Sequence, residues 1–249
     1  MLEIQGLRKR FAEREVLKGI DLVVHPGEVT VVLGANGSGK STLLRCAIRL
    51  IEPDGGTVRL CGTELGGCRG DALRQVRRQA AMVFQQVLLV RRRTAWENVA
   101  FGGLGELPLH RSLSTKLFPR ELRDRALESL DRVGLADYAV QRASTLSGGQ
   151  AQRVAIARAL CQQAHIILAD EPVASLDPRA AESVLALLAD VARKEGLGVL
   201  VVLHQPELAR RYADRLVGFL DGEVRFDRAP DRVSEDEVAA LYRDEDGSD

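Results

Sequence analysis

Two stretches of this chain have the composition of phosphate grips, and more than a hundred residues separate them. The first, GANGSGKST at 34–42, fits the spacing G-x-x-x-x-G-K-[ST] from Gly34 to Ser41. It follows an apolar run of strand length and precedes a helical pattern, the setting that such a loop needs. Gly34, Gly37 and Gly39 let the backbone wrap tightly, so that successive N–H groups from Asn36 through Ser38 to Thr42 cradle an anion. Lys40 is then expected to reach the β- and γ-phosphates of a nucleotide, and the Ser41 hydroxyl to ligate Mg²⁺. The second stretch, STLSGGQ at 144–150, sets two glycines after a serine at the start of an alanine-rich helix. Backbone N–H groups at such a helix start also grip phosphate.

A pair of carboxylates completes a candidate nucleotide site. In HIILADEP (165–172), Asp170 ends a buried strand, where it can face a Mg²⁺ shell. Glu171 follows, placed to polarise a water for attack on the γ-phosphate. Pro172 predicts an extended backbone for Glu171. Gln85 ends the run AAMVFQ (80–85) and His204 ends LGVLVVLH (197–204). The Gln85 amide can meet Mg²⁺ or the attacking water, and His204 can donate to the γ-phosphate. Alone, each reads more readily as an ordinary residue at a strand end. Strand order would decide, because parallel strands gather their C-terminal ends around a ligand crevice.

The elements that must carry these residues follow from periodicity. Alternation over 2–7 and 16–24, with polar residues at 12–14 between, predicts a hairpin, and 55–62 predicts another short strand. Together they make a small antiparallel sheet. Four buried-type strands are expected at 28–34, 80–85, 165–170 and 197–204; helical patterns follow three of them, as in a parallel α/β sheet. Asp177 with Pro178 opens a helix bearing Val184, Leu187, Leu188 and Val191 on one face. Residues 87–160 contain no convincing strand, and Leu122, Ala126, Leu130 and Val133 share a helix face there. A helical lobe inserted into the sheet domain is expected. Ser234 and Glu237 predict a capping box for a last helix ending near Tyr242, followed by a frayed acidic end, RDEDGSD.

Bulk composition narrows the classes. The 249 residues carry 35 Lys plus Arg against 35 Asp plus Glu, so no net basic field draws the chain to nucleic acid. Hydrophobic content of 45% with 28% charged residues is that of an ordinary globular protein. The four cysteines form no C-x-x-C pair and read as reduced cytosolic thiols. No apolar run approaches the ~18 residues of a membrane span. Work at a membrane would pass through a partner.

GANGSGKST, VFQQ, LSGGQAQRVAIARAL, IILADEP, SLD and LVVLH stand in the order found in ATP-binding cassette (ABC) ATPases, and the whole chain resembles that family. The resemblance implies an α/β P-loop NTPase core with an N-terminal antiparallel β subdomain and an inserted helical subdomain. It divides the single 1–249 domain into a nucleotide-binding core (1–86 and 161–232), a helical subdomain carrying the signature motif (87–160), and a C-terminal helix and acidic tail (233–249). It also accounts for the second grip. In the family two subunits pack head to tail, and the LSGGQ of one closes over ATP held by the other. ATP joins the halves across a two-fold interface. Ser147, Gly149 and Gln150 would then face the partner's nucleotide, and Asp177 would cross the interface. Phe11 looks like the aromatic that stacks on adenine, with Val16 nearby; without the family it reads equally as a hairpin-core residue.

Longer stretches resemble the ATPases of phosphonate importers, among them LLRCAIRLIEPDGGTV, LVRRRTAWENVAFGGLG and LHQPELARRYADRLVGFLDGEV. That likeness implies a homodimer beneath two integral-membrane permease subunits, at the cytoplasmic face of the membrane, with a periplasmic or lipid-anchored binding protein delivering a phosphorus oxyanion. Two features depart from the pattern. Val87-Leu88-Leu89 replaces the usual aromatic after the Gln pair, and Ala35-Asn36 stands where Pro-Ser is commoner. Arg91, Arg92 and Arg93 read either as a solvated charge run or as a permease contact. Other classes are a single-cassette ATPase of an exporter or cell-division complex, and a soluble ABC ATPase acting on nucleic acid or the ribosome.

Overall fold

The computed structural model describes residues 1–242; the 243–249 end expected to fray lies outside them. In chain order the elements are β1 Leu2–Phe11, β2 Arg14–Val24, β3 Val29–Leu33, α1 Lys40–Ala47, β4 Gly55–Leu60, β5 Thr63–Glu64, α2 Gly70–Arg77 and β6 Ala80–Val83. Then come α3 Ala95–Ala100, α4 Leu109–Ser112, α5 Arg120–Arg132, α6 Gly148–Cys161, β7 Ile166–Asp170, α7 Pro178–Glu195 and β8 Gly198–Val202. The last are α8 Pro206–Tyr212, β9 Arg215–Leu220, β10 Glu223–Arg228 and α9 Glu235–Ala240.

Two sheets form. The smaller, in the order β2-β1-β4-β5, is antiparallel; the larger runs β10-β9-β3-β8-β7-β6 and is parallel except for β10. The larger sheet is covered on both faces, which is why its strands read as unbroken apolar runs. Val29, Val31 and Leu33 pack with Ile167, Ala169, Val199 and Val201 into a core shared with α7 and the helical region. Their alternates Val32, Ile166, Leu168, Leu200 and Val202 face the other way, joining Leu43 and Leu44 of α1 and the inner face of the small sheet. A period of two thus feeds both cores from one sheet.

The helical interval holds α3 to α6 with short 3-10 turns between, and no named strand. Leu122, Ala126, Leu130 and Val133 are buried along the face that their spacing predicted. On α7, Val184, Leu188 and Val191 are buried and Leu187 is half-buried. Its ends follow local chemistry: Asp177 accepts from the Ala180 N–H at 3.0 Å, Pro178 takes the first turn, and Gly196 closes the helix at φ 66°. The Ser234–Glu237 capping box is present, though α9 ends at Ala240, short of Tyr242.

Three expectations need correction. β1 runs to Phe11 and closes a two-residue turn, because Phe11 pairs with Arg14. β6 stops at Val83, so Gln85 lies in a connection and is exposed. The β9–β10 hairpin was not anticipated. Its signal is present in Asp221-Gly222, whose φ angles of 52° and 78° are those of a tight strand-matched turn.

Candidate functional site

Four parallel strands stand side by side in the order β3-β8-β7-β6, and each delivers one candidate group at its C-terminal end. Val202 pairs with Val32 on one side and with Asp170 on the other, so the phosphate loop, His204 and the Asp170-Glu171 pair open on the same edge. Val83 pairs with Ala169, which sets Gln85 just beyond that edge in the connection that follows β6. This is the crevice of an open parallel sheet, where ligands bind.

The loop from Gly34 to Gly39 is shaped by its surroundings. A Cβ on Gly34 would come within 2.0 Å of the Phe219 carbonyl, and one on Gly39 within 2.8 Å of the Val16 carbonyl. Both positions therefore exclude any larger residue. The unexpected hairpin supports the loop from behind, since Gly222 donates to the Ser38 carbonyl at 3.1 Å and its own carbonyl accepts from Lys18 at 2.9 Å. Lys40 opens α1 and is buried; its Nζ donates to the carbonyls of Gly34 (2.8 Å) and Ala35 (2.6 Å) and to Ser38 Oγ (3.3 Å). Asn36 and Gly37 lie exposed at the loop's crest, and Ser41 and Thr42 are half-buried at the start of α1.

Ser41 and Asp170, 129 residues apart, meet directly: Ser41 Oγ donates to Asp170 Oδ1 at 2.7 Å. Asp170 is 6% exposed, and its other oxygen lies 4.0 Å from the Arg45 guanidinium. Arg45 was missed in the sequence, although it stands four residues after Ser41 on the same helix face. A hydroxyl and a carboxylate converging beside a phosphate cradle form a hard oxygen donor set, which suits Mg²⁺.

Glu171 departs from the expected backbone. Its φ is 49°, left-handed and not extended, despite Pro172. A non-glycine residue held there costs about 1–3 kcal/mol, and such strain concentrates at working sites. The turn directs the carboxylate to His204, with Nε2 and Oε1 2.5 Å apart and both side chains mostly buried. Gln85, by contrast, makes no described hydrogen bond to Ser41, Asp170 or Glu171.

Phe11 is 46% exposed at the hairpin tip, with Lys9 Nζ 5.2 Å from its ring centroid. It is not a core residue. Val16, on the same hairpin, touches the phosphate loop at Gly39, and the Arg14 guanidinium donates to the Gly37 carbonyl at 3.2 Å. An exposed aromatic face and a phosphate cradle thus share one side of the molecule.

The second grip lies elsewhere. Ser147 Oγ accepts from the Gln150 N–H at 3.3 Å, and Gln150 Oε1 accepts from the Ser147 N–H at 2.9 Å, a capping box that starts α6. Gln150 is used locally in this way. Gly148 and Gly149 pack against the chain entering α7: a Cβ on the first would lie 3.0 Å from Leu176 and on the second 3.2 Å from Ala180. That contact brings the exposed Ser147 turn beside Asp177. The Ser147 turn and Asp177 thus form a second set of candidate residues, and the pocket lined by Leu176, Pro178 and His204 joins it to the end of the first. Arg91, Arg92 and Arg93 are exposed; the carbonyls of Arg91 and Arg93 accept from Ser144 and Ala143, and Arg93 pairs with Glu97 at 2.9 Å.

The family model for ABC transporters matches residues 17–174. The chain belongs to that family. It is an ATPase of the transporter type, and ATP is its nucleotide. The chain is 49% identical to a phosphonates import ATP-binding protein of Frankia casuarinae over 97% of this chain and 96% of that one. A protein of the same description from Nitratidesulfovibrio vulgaris is 46% identical, over 97% of this chain and 91% of that one. A phosphate-import ATP-binding protein of Mycolicibacterium smegmatis is 49% identical, over 96% and 90% respectively. Among solved structures, the dimeric post-hydrolysis cassette MJ0796 with ADP and Pi matches with a TM-score of 0.77 and 35% identity, over 92% of this chain and 99% of that one. The ADP form of the cassette MJ1267 matches at 0.82 and 27%, over 98% and 95%. Among the described residues of the present chain, no helix is long and apolar enough to cross a membrane.

Proposed function

We propose that the chain is the ATP-hydrolysing subunit of an ABC importer for phosphonate or a related phosphorus oxyanion. The observation that carries the substrate class is the near-full-length identity to ATPases so described. Phosphate is the second reading, supported by the Mycolicibacterium smegmatis relative. The subunit acts as a homodimer with ATP at the interface, a reading supported by its likeness to a dimeric cassette. Two integral-membrane permease subunits hold it at the cytoplasmic face, and a periplasmic or lipid-anchored binding protein delivers substrate. Nucleic acid has no part. Arg91 to Arg93 are exposed on the helical region, where they are either a solvated charge run or a permease contact.

Phe11 and Val16 take the adenine end of ATP, while the loop from Gly34 to Thr42 holds the phosphates with backbone N–H groups and Lys40. Ser41 and Asp170 are the residues that would hold Mg²⁺, with Gln85, in the connection after β6, as a further candidate. The cation, once bound, neutralises developing charge on the phosphate oxygens. Glu171 receives the proton. With His204 Nε2–H donating to Oε1, the second carboxylate oxygen is left for the attacking water. As the water oxygen bonds to the γ-phosphorus, the bond to the β-phosphate oxygen breaks and one water proton passes to Glu171. Ser147, Gly149, Gln150 and Asp177 of the opposite copy close the site. Loss of the γ-phosphate removes what both copies grip, and the halves separate.

The test is uptake of phosphonate, phosphite and phosphate by cells carrying chromosomal Lys40→Ala. Selective loss of phosphonate uptake is expected. Unchanged uptake of all three, with no duplicate system present, would refute the substrate assignment.

A further inference from the structure

The connection from 84 to 94 joins β6 to α3 and carries Gln85. Packing holds only part of it: Val87 and Leu89 lie against the core, whereas Leu88 is 59% and Val90 49% exposed. Polar side chains from the helical region do the rest. Asn98 on α3 is fully buried, accepts from the Val90 N–H at 2.7 Å and donates to its carbonyl at 3.2 Å. Closer to Gln85, the Leu88 carbonyl accepts from the Arg158 guanidinium at 2.8 Å.

Arg158 stands on α6, the helix that begins with the Ser147–Gln150 turn. Its 14 residues make a rod about 21 Å long. The rod is seated firmly near this point, because a Cβ on Gly102 would come within 2.3 Å of the Arg158 carbonyl. No carboxylate pairs with Arg158 among the described residues, and burial alone pushes its pKa down. A half-buried cation without a counter-charge is unfavourable, and a neutral side chain would pack there at less cost. What the guanidinium adds is a charged donor to one carbonyl in the Gln85 connection.

We propose that Arg158 is a positioning residue that hangs the Gln85 connection on α6, so that Gln85 and the Ser147 end of the helix keep one relative geometry. This rests on the reading of Gln85 as a group that meets metal or water at the γ-phosphate. Rotation of α6 as a rod would carry the connection with it, which ties the grip on one nucleotide to the placement of Gln85 at the other.

The experiment is a double-mutant cycle on ATP hydrolysis by the full chain with its permease, using Arg158→Gln, Arg158→Lys and Gln85→Ala. Arg158→Gln should lower kcat about tenfold, the scale of one charge-assisted hydrogen bond, with KM for ATP and Tm nearly unchanged. Arg158→Lys should recover part of the loss, because an ammonium still donates to the Leu88 carbonyl. In the Gln85→Ala background Arg158→Gln should change kcat by less than about twofold. The same tenfold loss in both backgrounds would overturn the proposal, since Arg158 would then act without Gln85. Parallel falls in Tm and kcat for both Arg158 variants would also overturn it, leaving a structural staple. Wild-type turnover by Gln85→Ala alone would instead remove Gln85 from the mechanism, and Arg158 with it.

Discussion

Replacing Glu171 by Gln changes one oxygen for an amide nitrogen and nothing in volume. The residue keeps an acceptor for His204 Nε2, 2.5 Å from the carboxylate in the wild type. It also keeps the backbone at φ 49°, equally strained for either side chain. Stability should therefore move by less than about 0.5 kcal/mol. Basicity is lost entirely. General-base catalysis contributes about 10²–10⁴-fold, or about 2.7–5.4 kcal/mol of barrier. The variant should bind ATP as the wild type does, hydrolyse it at least about a hundredfold more slowly, and elute as a dimer when ATP is present. Steady-state phosphate release, equilibrium nucleotide binding and gel filtration with ATP read these three quantities. Turnover within about twofold of wild type would refute the assignment of the base, since no part of that range survives it. A companion pair tests the strain separately. Gly accepts φ 49° freely, whereas Ala pays about 1–2 kcal/mol there, partly offset by about 0.5–1 kcal/mol of glycine's chain entropy. The net of roughly 0–1.5 kcal/mol means that Glu171→Gly should melt up to about 6 °C above Glu171→Ala. A lower melting temperature for Glu171→Gly would mean that the left-handed turn stores nothing.

Three further outcomes are expected. Burial would raise the Glu97 carboxyl, but hydrogen bonds from the Thr94 N–H and the Thr115 hydroxyl, with Arg93 beside it, hold it below its usual 4.5. A depressed carboxyl stabilises the fold above its unfolded pKa and loses that contribution as pH falls, so the Tm gap between wild type and Glu97→Gln should be widest near neutrality and shrink below about pH 4.5. Changing Arg91, Arg92 and Arg93 to Ser leaves their backbone bonds to Ser144 and Ala143 in place; permease association in pull-downs should weaken while ATP binding holds, and unchanged association would discard the docking role. Burial pushes the Cys46 thiol up to about 11 and raises Cys161 also. A thiol reagent at pH 8 should thus modify Cys61 and Cys68, both half-buried, well before the other two; early labelling of Cys46 would contradict its burial.

The phosphate loop and the signature turn were legible because each depends on backbone geometry that only certain residues allow, and the Asp-Glu pair was legible through its coupling to the loop. Gly34 and Gly39 tolerate no side chain, Pro178 within a helix suits only the first turn, and Ser147 with Gln150 caps a helix by itself. The helix faces were readable because burial on one side imposes a period of 3.6. The inward and outward alternation on β3, β7 and β8 was not visible, since a sheet covered on both faces is apolar at every position. The β9–β10 hairpin was passed over, although Asp221-Gly222 marks its turn.

Short-range physics lies in the sequence, and it determined the loop, the caps, the helix faces and the family. Tertiary structure alone decided the strand order β3-β8-β7-β6, because pairing partners are chosen among strands that are all comparably apolar. That order brings Ser41 to Asp170 across 129 residues and His204 to Glu171 across 33. It also overrode the local preference at Pro172, turning Glu171 left-handed so that its carboxylate meets His204. No neighbour in sequence could have announced that turn, since the partner that it serves arrives on a different strand.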